Sequence, residues 1–458
     1  MKRRFYKIGL SLMFFVLSSF IASQSVLAQK FTITALSTPG GTQALAFGIN
    51  NVGQVVGYFD TVPGTSPVHA AFWSNGIMHD LGTLPGDTNS EAYAVNNRGQ
   101  VVGYSWSIDE HAFLWSNDTM KDLGTLGGTK SWAYGINNAG QVVGYSYTSG
   151  NSAVRAFLWS NGTMKDLGTL GGTASAAWGI NDADQVVGYA TTPGNSAAPA
   201  ALWSNGSVQG LGTLGGTESV ARAINDAGKV VGYSYTAENG IIQAFLWSNG
   251  TMKDLGTLPG DTISMATAIN NAGEVVGWSA ASGFSPIHPV LWANGVAIDL
   301  NGLFNGTGWT IVEANGINDQ GEIVGFGYYN GNGYAFILSP IIDVPIDIEP
   351  WFNPNNIDLQ FKWAPIPVAI LSTLGFDAPK VVDRASLTFG NDGTENSLAF
   401  CNPEFVDVNG DKLPDLICFF YTGEMGFLCG DIEGFLKGKT KEGIPIEGSD
   451  SVKIVPCK

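Results

Sequence analysis

The chain has no cysteine before position 401, four histidines in 458 residues, and only 13% charged residues. So few histidines leave little for a histidine-rich metal centre. Neither H-E-x-x-H nor G-x-S-x-G occurs, which removes the zincin and nucleophile-elbow chemistries. Basic residues are scarce too: 22 Lys and Arg stand against 39 Asp and Glu, a net charge of −17. A surface this acidic repels nucleic acid and anionic membranes, so neither is expected as a partner.

The first 28 residues read as a signal peptide. Lys2, Arg3, Arg4 and Lys7 precede an apolar run from Ile8 to Ala22, and Val26-Leu27-Ala28 has the small-residue pattern of a cleavage site. The run is shorter than the ~20 residues of a spanning helix, and no further apolar span follows it. The mature chain is expected to begin near Gln29, to be secreted or periplasmic, and to be a monomer. Losing four positive charges takes the net charge from −17 to −21.

What the chain has in abundance is one repeated phrase. The pattern (I/V)-N-(N/D)-x-x-x-(V/I)-V-G occurs seven times, with its first Asn at Asn50, Asn96, Asn137, Asn181, Asn225, Asn270 and Asn318. A spacing of ~40–45 residues with four short strands per unit is the signature of a β-propeller blade. In the third unit, 131–137, 141–146, 156–162 and 164–170 read as the four strands, with no helical periodicity. Gly140 and Asn161-Gly162 supply the turns. Segment 31–42 matches a fourth strand with no first three before it. The seventh unit ends at 334–340 and lacks its fourth. The N-terminal strand is therefore expected to complete the last blade. The predicted fold is all-β: a seven-bladed β-propeller over 29–340, followed by a small β-sandwich over 341–458.

Trp73, Trp115, Trp159, Trp203, Trp247 and Trp292 share one position of the third strand, with Leu338 in the seventh unit. Packing between neighbouring sheets is the expected role. The units A-F-L-W-S-N-G-T-M-K-D-L-G-T-L-G-G-T, with His111-Ala112-Phe113 in one copy, resemble the HAF repeat of bacterial extracellular proteins. That resemblance implies an exported repeat protein and carries no assigned activity. His69, His111 and His288 stand at the name-giving position, whereas Arg155, Pro199, Gln243 and Tyr334 replace it elsewhere.

The repeats differ most just before the Asn core. One variable position holds Phe47, Tyr93, Tyr134, Trp178, Arg222, Thr267 and Asn315, and another two residues upstream holds Leu45, Glu91, Trp132, Ala176, Val220, Met265 and Glu313. On an inner strand these would surround one mouth of the channel. Glu91, Tyr93, Trp132, Tyr134, Trp178, Arg222 and Glu313 are therefore the candidate ligand-binding residues, suited to a sugar or a peptide. The alternative is that they only fill wedge-shaped gaps between blades. Glu91 and Glu313 also suit an acid/base pair.

Beyond residue 340 the repeats stop. Short apolar strands are expected at 344–349, 366–371, 384–390, 415–421 and 450–455. The pattern resembles a module attached to many secreted prokaryotic proteins. All four cysteines lie here. Of three possible pairings, Cys401–Cys418 with Cys429–Cys457 is favoured over a four-thiolate zinc site. The loop VDVNGDKLPDL places Asp407, Asn409, Asp411, the Leu413 carbonyl and Asp415 at alternating positions that suit calcium. It resembles dockerin-like and integrin-like calcium loops. Lys412 replaces the usual Gly and Cys418 the usual Glu, with Glu404 near enough to complete the shell. The alternative is an acidic turn held by Asx hydrogen bonds.

Three readings follow: a secreted non-enzymatic scaffold recognising an extracellular glycan or protein, a structural matrix or envelope component without a discrete ligand, and a polysaccharide-acting enzyme. The first is preferred.

Overall fold

The computed structural model describes residues 30–457, apart from 40–42, 63–64, 238–239, 305, 404–405, 442 and the side chains of 65–66. The expected signal peptide and Glu404 lie outside the described residues. The chain divides into two units, 31–340 and 341–458, the latter also taking Lys30. Among the described residues no helix is long and apolar enough to cross a membrane.

The larger unit is an all-β, propeller-type fold of repeated antiparallel sheets. Six sheets have four strands each. In the third they are Gly127–Ile136, Val142–Thr148, Val154–Ser160 and Thr163–Asp166, paired in chain order. A further sheet comprises Trp309–Ile317, Ile323–Tyr329 and Asn332–Asp343, and Lys30–Ala35 pairs with the last of these. The turns sit where glycine and asparagine predict them: Gly140 has φ 81°, and Asn161 and Gly162 have φ 51° and 85°.

The outer strand ends earlier than the sequence suggests, at Asp166 rather than Leu170. The reason is local. The Asp166 carboxylate accepts the Gly168 N–H at 2.7 Å, and Gly168 has φ 79°. This Asx turn breaks the ladder. Asp80, Asp122 and Asp254 do the same in other sheets.

The tryptophans pack between sheets as expected. Trp73 is 1% exposed against Val324 and Ala335 of the sheet before it, and Trp159 is buried against Val102 and Ala112. His69 and His111 instead meet Asp80 and Asp122 on the outer strands of their own sheets, and His288 meets Asp261.

Two polar devices join the sheets, and sequence reading assigned neither. The first is a row of buried serines. Ser131, fully buried, accepts the Ala112 N–H of the preceding sheet at 3.0 Å and donates to the Gly124 carbonyl. Ser90, Ser175, Ser219 and Ser264 take the same backbone donor. The second is the repeated asparagine. Asn96 accepts the Gln100 N–H and donates to the Asn137 carbonyl of the next sheet at 3.0 Å. This donation recurs from Asn50, Asn137, Asn181, Asn225 and Asn270, each to the asparagine one sheet on. Asn318 returns it to Asn50. A turn alone accepts Asp or Ser. The carboxamide accepts the turn N–H groups with its oxygen and donates across the sheets with its nitrogen, which a carboxylate cannot do.

In the smaller unit, Ile346–Ile348, Pro365–Ile370, Leu416–Tyr421 and Leu398–Cys401 form one sheet, and Val382–Gly390, Glu433–Thr440 and Pro445–Ser451 lie in another. One core draws on both, with Ile348, Val368 and Phe420 from the first and Phe389, Leu436 and Ile446 from the second. A helical turn, Ala378–Val381, was not expected. Asp377 caps it by accepting the Lys380 N–H. The disulfides are Cys401–Cys418, cross-strand partners, and Cys429–Cys457, the favoured pairing. Two disulfides suit an oxidising, non-cytoplasmic compartment.

Candidate functional site

Every inner strand of the larger unit carries a β-bulge at one shared place, and three of them have a second register shift nearer their start. In the third sheet the register shifts between Ala133 and Gly135, which leaves Tyr134 out of the ladder. The corresponding shifts leave out Phe47, Tyr93, Trp178, Arg222, Thr267 and Asn315. The variable position of the repeat is therefore the bulged residue in every sheet. A bulge frees one side chain from the alternation and re-aims it. The local sequence permits this because small residues flank the bulge. A Cβ on Gly135 would lie 2.9 Å from the Trp178 carbonyl of the next sheet.

The bulged residues of the first five sheets touch in series. Phe47 stacks on Tyr93 with ring centres 4.5 Å apart, Tyr93 meets Tyr134 edge-on at 4.8 Å, and Tyr134 lies 6.4 Å from Trp178. The Arg222 guanidinium carbon is 5.1 Å from the Trp178 ring centre and 5.9 Å from Tyr233. All five side chains are half-buried. In the remaining two sheets the bulged residue is spent on the fold: Thr267 donates to the Ala314 carbonyl, and Asn315 donates to the Ala46 carbonyl.

The upstream position forms a second tier. The Trp132 ring is 4.7 Å from Tyr145. Glu91 Oε2 accepts from Tyr93 at 2.7 Å and from Tyr104 at 3.2 Å, and Glu313 accepts from Asn315 at 3.3 Å. All seven candidate residues thus belong to inner strands and make side-chain contacts around their bulges. Glu91 and Glu313 lie on the second and seventh sheets with the first between them, and both push the Tyr58 phenol up, after burial.

The second strands add Tyr58, Tyr104, Tyr145, Tyr189 and Tyr233, a ring the sequence reading passed over although V-V-G-Y recurs. Each phenol is held above its ordinary value, first by burial. Gly144 precedes Tyr145 because a Cβ there would sit 1.8 Å from the Trp132 carbonyl.

A cavity of about 220 Å³ lies three residues further along the inner strands, lined by the repeated asparagines and their neighbours. Its rim is zipped by backbone amides. The Asn138 N–H donates to Asp182, Asp182 to Asp226, Asp226 to Asn271, Asn271 to Asp319, and Asp319 to Asn51.

In the smaller unit, Asp407 accepts the N–H groups of Gly410 and Lys412, and Lys412 takes φ 72°, the left-handed backbone its position demands. Asp407, Asn409 and Asp411 are exposed and their oxygens accept N–H groups of the loop itself, and among the described residues no group of three or more His, Cys, Asp or Glu is placed to hold a metal ion. Asp415 stands apart. It is fully buried, and its oxygens accept the Ser372 and Val408 N–H groups at 2.7 and 2.8 Å, so it holds the loop to the core.

No family model matches the chain, and no curated protein does. Among solved structures 84 chains match. TolB from Acinetobacter baumannii is 15% identical, covering 63% of this chain and 79% of its own at a TM-score of 0.36. A fungal alcohol oxidase of the AA5 family in complex with copper is 12% identical, covering 93% and 100% at 0.43. A gluconolactonase from Xanthomonas campestris is 10% identical, covering 69% and 93% at 0.33. Likenesses at this level transfer no activity, and the chain's own residues carry the functional reading.

Proposed function

We propose that this chain is an exported, non-enzymatic binding scaffold whose larger unit, a closed seven-bladed propeller, takes an extracellular saccharide at its channel mouth. The coincidence of variability with the bulge carries this reading. The position that changes from repeat to repeat is the one freed from the ladder, and in five adjacent sheets it holds four aromatics and an arginine. Flat aromatic faces with a few fixed polar groups suit a saccharide. Glu91 and Arg222 supply such groups. The disulfides, the signal-like first 28 residues and the HAF-like repeats support export. The smaller unit, as a β-sandwich with calcium held by Asp407, Asn409, Asp411 and the Leu413 carbonyl, would serve as spacer or docking module.

Affinity electrophoresis through gels containing soluble polysaccharides, with pull-down on insoluble ones, tests the reading. The full chain should be retarded by at least one polymer, and Trp178→Ala should abolish the retardation while the variant stays folded at the temperature of the gel. Passage unretarded through every polymer would overturn it. Calcium should raise the melting temperature of the native chain and leave that of Asp407→Asn unchanged. Equal shifts in both would remove the calcium loop from the account.

A further inference from the structure

Resting on the saccharide reading above, we infer that the ligand is an acidic saccharide, and that Arg222 receives its carboxylate or sulfate oxyanion. Arg222 is the only charged residue among the seven bulged positions. Trp178 of the neighbouring sheet and Tyr233 of its own sheet hold the guanidinium by ring contacts at 5.1 and 5.9 Å. Ring contacts use the π-electron faces of Trp178 and Tyr233 and leave the N–H donors unspent. Among the described residues no carboxylate pairs with Arg222, and no oxygen accepts from it. Arg155, the arginine at the third-strand position, has Asp166 at 3.7 Å. The half-buried Arg222 guanidinium thus keeps its N–H donors free for a ligand, and its planar fork matches an oxyanion.

The field of the site points the same way. Arg222 pulls the Tyr134, Tyr145 and Tyr233 phenols down against the larger upward push of burial. Three sheets away, Glu91 pushes Tyr58, Tyr93 and Tyr104 up, again after burial. Tyr93 and Tyr104 both bond to Glu91 Oε2, while Oε1 has no partner among the described residues. One side of the mouth accepts hydroxyl donors and the other offers donors to an anion. A neutral saccharide uses only the first side. A saccharide with hydroxyl and acid groups uses both. The chain's net charge of −17 opposes long-range capture of an anion, so selection falls on this local contact.

Isothermal titration of the full chain with three oligosaccharide series of equal length, uronate, sulfated and neutral, tests the inference. At least one acidic series should bind about tenfold or more tightly than the neutral one, and the series preferred identifies the oxyanion. Arg222→Gln should erase that preference, bringing the affinity for the acidic series down to that for the neutral one in the same variant. Arg222→Lys, which keeps charge without the fork, should retain part of it. Neutral binding as tight as acidic, or a preference that survives Arg222→Gln, overturns the inference and leaves the saccharide reading standing. Failure of all three series to bind overturns both.

Discussion

The Asn318 carboxamide donates to the carbonyl of Asn50, 268 residues away, at 3.1 Å. Alongside the Asn315–Ala46 and Asp319–Asn51 bonds, it joins the last sheet to the first, and it completes a circuit that passes through the other five repeated asparagines. Both residues are at least 96% buried, at 3% and 4% exposure, so the circuit works without competition from water. The last sheet is therefore tied to the first by side chains, and it also pairs with the N-terminal strand Lys30–Ala35.

Asn318→Ala should destabilise the larger unit by about 2 kcal/mol, because it removes the buried bond to the Asn50 carbonyl and the acceptor shared by the Gln320 and Glu322 N–H groups. Asn318→Asp should cost more. It keeps the acceptor but turns a negative charge towards the Asn50 carbonyl and Glu322. Urea denaturation orders the three proteins, and equal stability of all three would remove the circuit from the account.

The tryptophans provide an internal comparison at one repeat position. Trp73 and Trp292 are 1% and 2% exposed, and their indoles donate to the Ser37 and Gly256 carbonyls. Replacing either by Ala should cost about 3–5 kcal/mol. Trp115 is only partly buried, and Trp115→Ala should cost less. Denaturation midpoints check the order.

Tyr58, Tyr93, Tyr104, Tyr134, Tyr145, Tyr189 and Tyr233 all have phenols held above 10.0, burial being the largest cause in each. An unfolded tyrosine loses its proton near pH 10. Above that pH the folded state binds more protons than the unfolded one, so stability is complete below pH 10 and falls as pH rises beyond it. Phenolate absorbance should rise together with loss of near-UV dichroism. Ionisation of these phenols near pH 10 with the fold intact would contradict their burial.

Reduction should weaken the smaller unit selectively. Cys401–Cys418 and Cys429–Cys457 span 17 and 28 residues, and each cross-link of this length contributes about 3 kcal/mol through the unfolded chain. Calorimetry with and without reductant should show one transition moving down while the transition of the cysteine-free unit stays.

The strand order and the turns were legible in the sequence because each rests on local chemistry or on chain order, whereas spacing left three disulfide pairings open and only favoured the one found. Asn161-Gly162 names its own turn. The single N-terminal strand at 31–35 could pair only with a sheet missing its fourth member. The bulge at Tyr134 was not legible, because a bulge is a property of two paired strands and no residue type marks it. The asparagine circuit left a trace: Asn50 and its six counterparts never change, whereas a turn would have accepted Asp. The unpaired state of Arg222 is a fact of tertiary surroundings that periodicity does not report.

Hydrogen–deuterium exchange of the full chain with the best-retained saccharide at saturation tests the central claim most directly. The account predicts protection on the inner strands Asn89–Val95, Gly127–Ile136, Ser175–Ile180 and Gly215–Ile224, around the bulges that carry Tyr93, Tyr134, Trp178 and Arg222. Protection confined to the outer strands or to the C-terminal unit would contradict it.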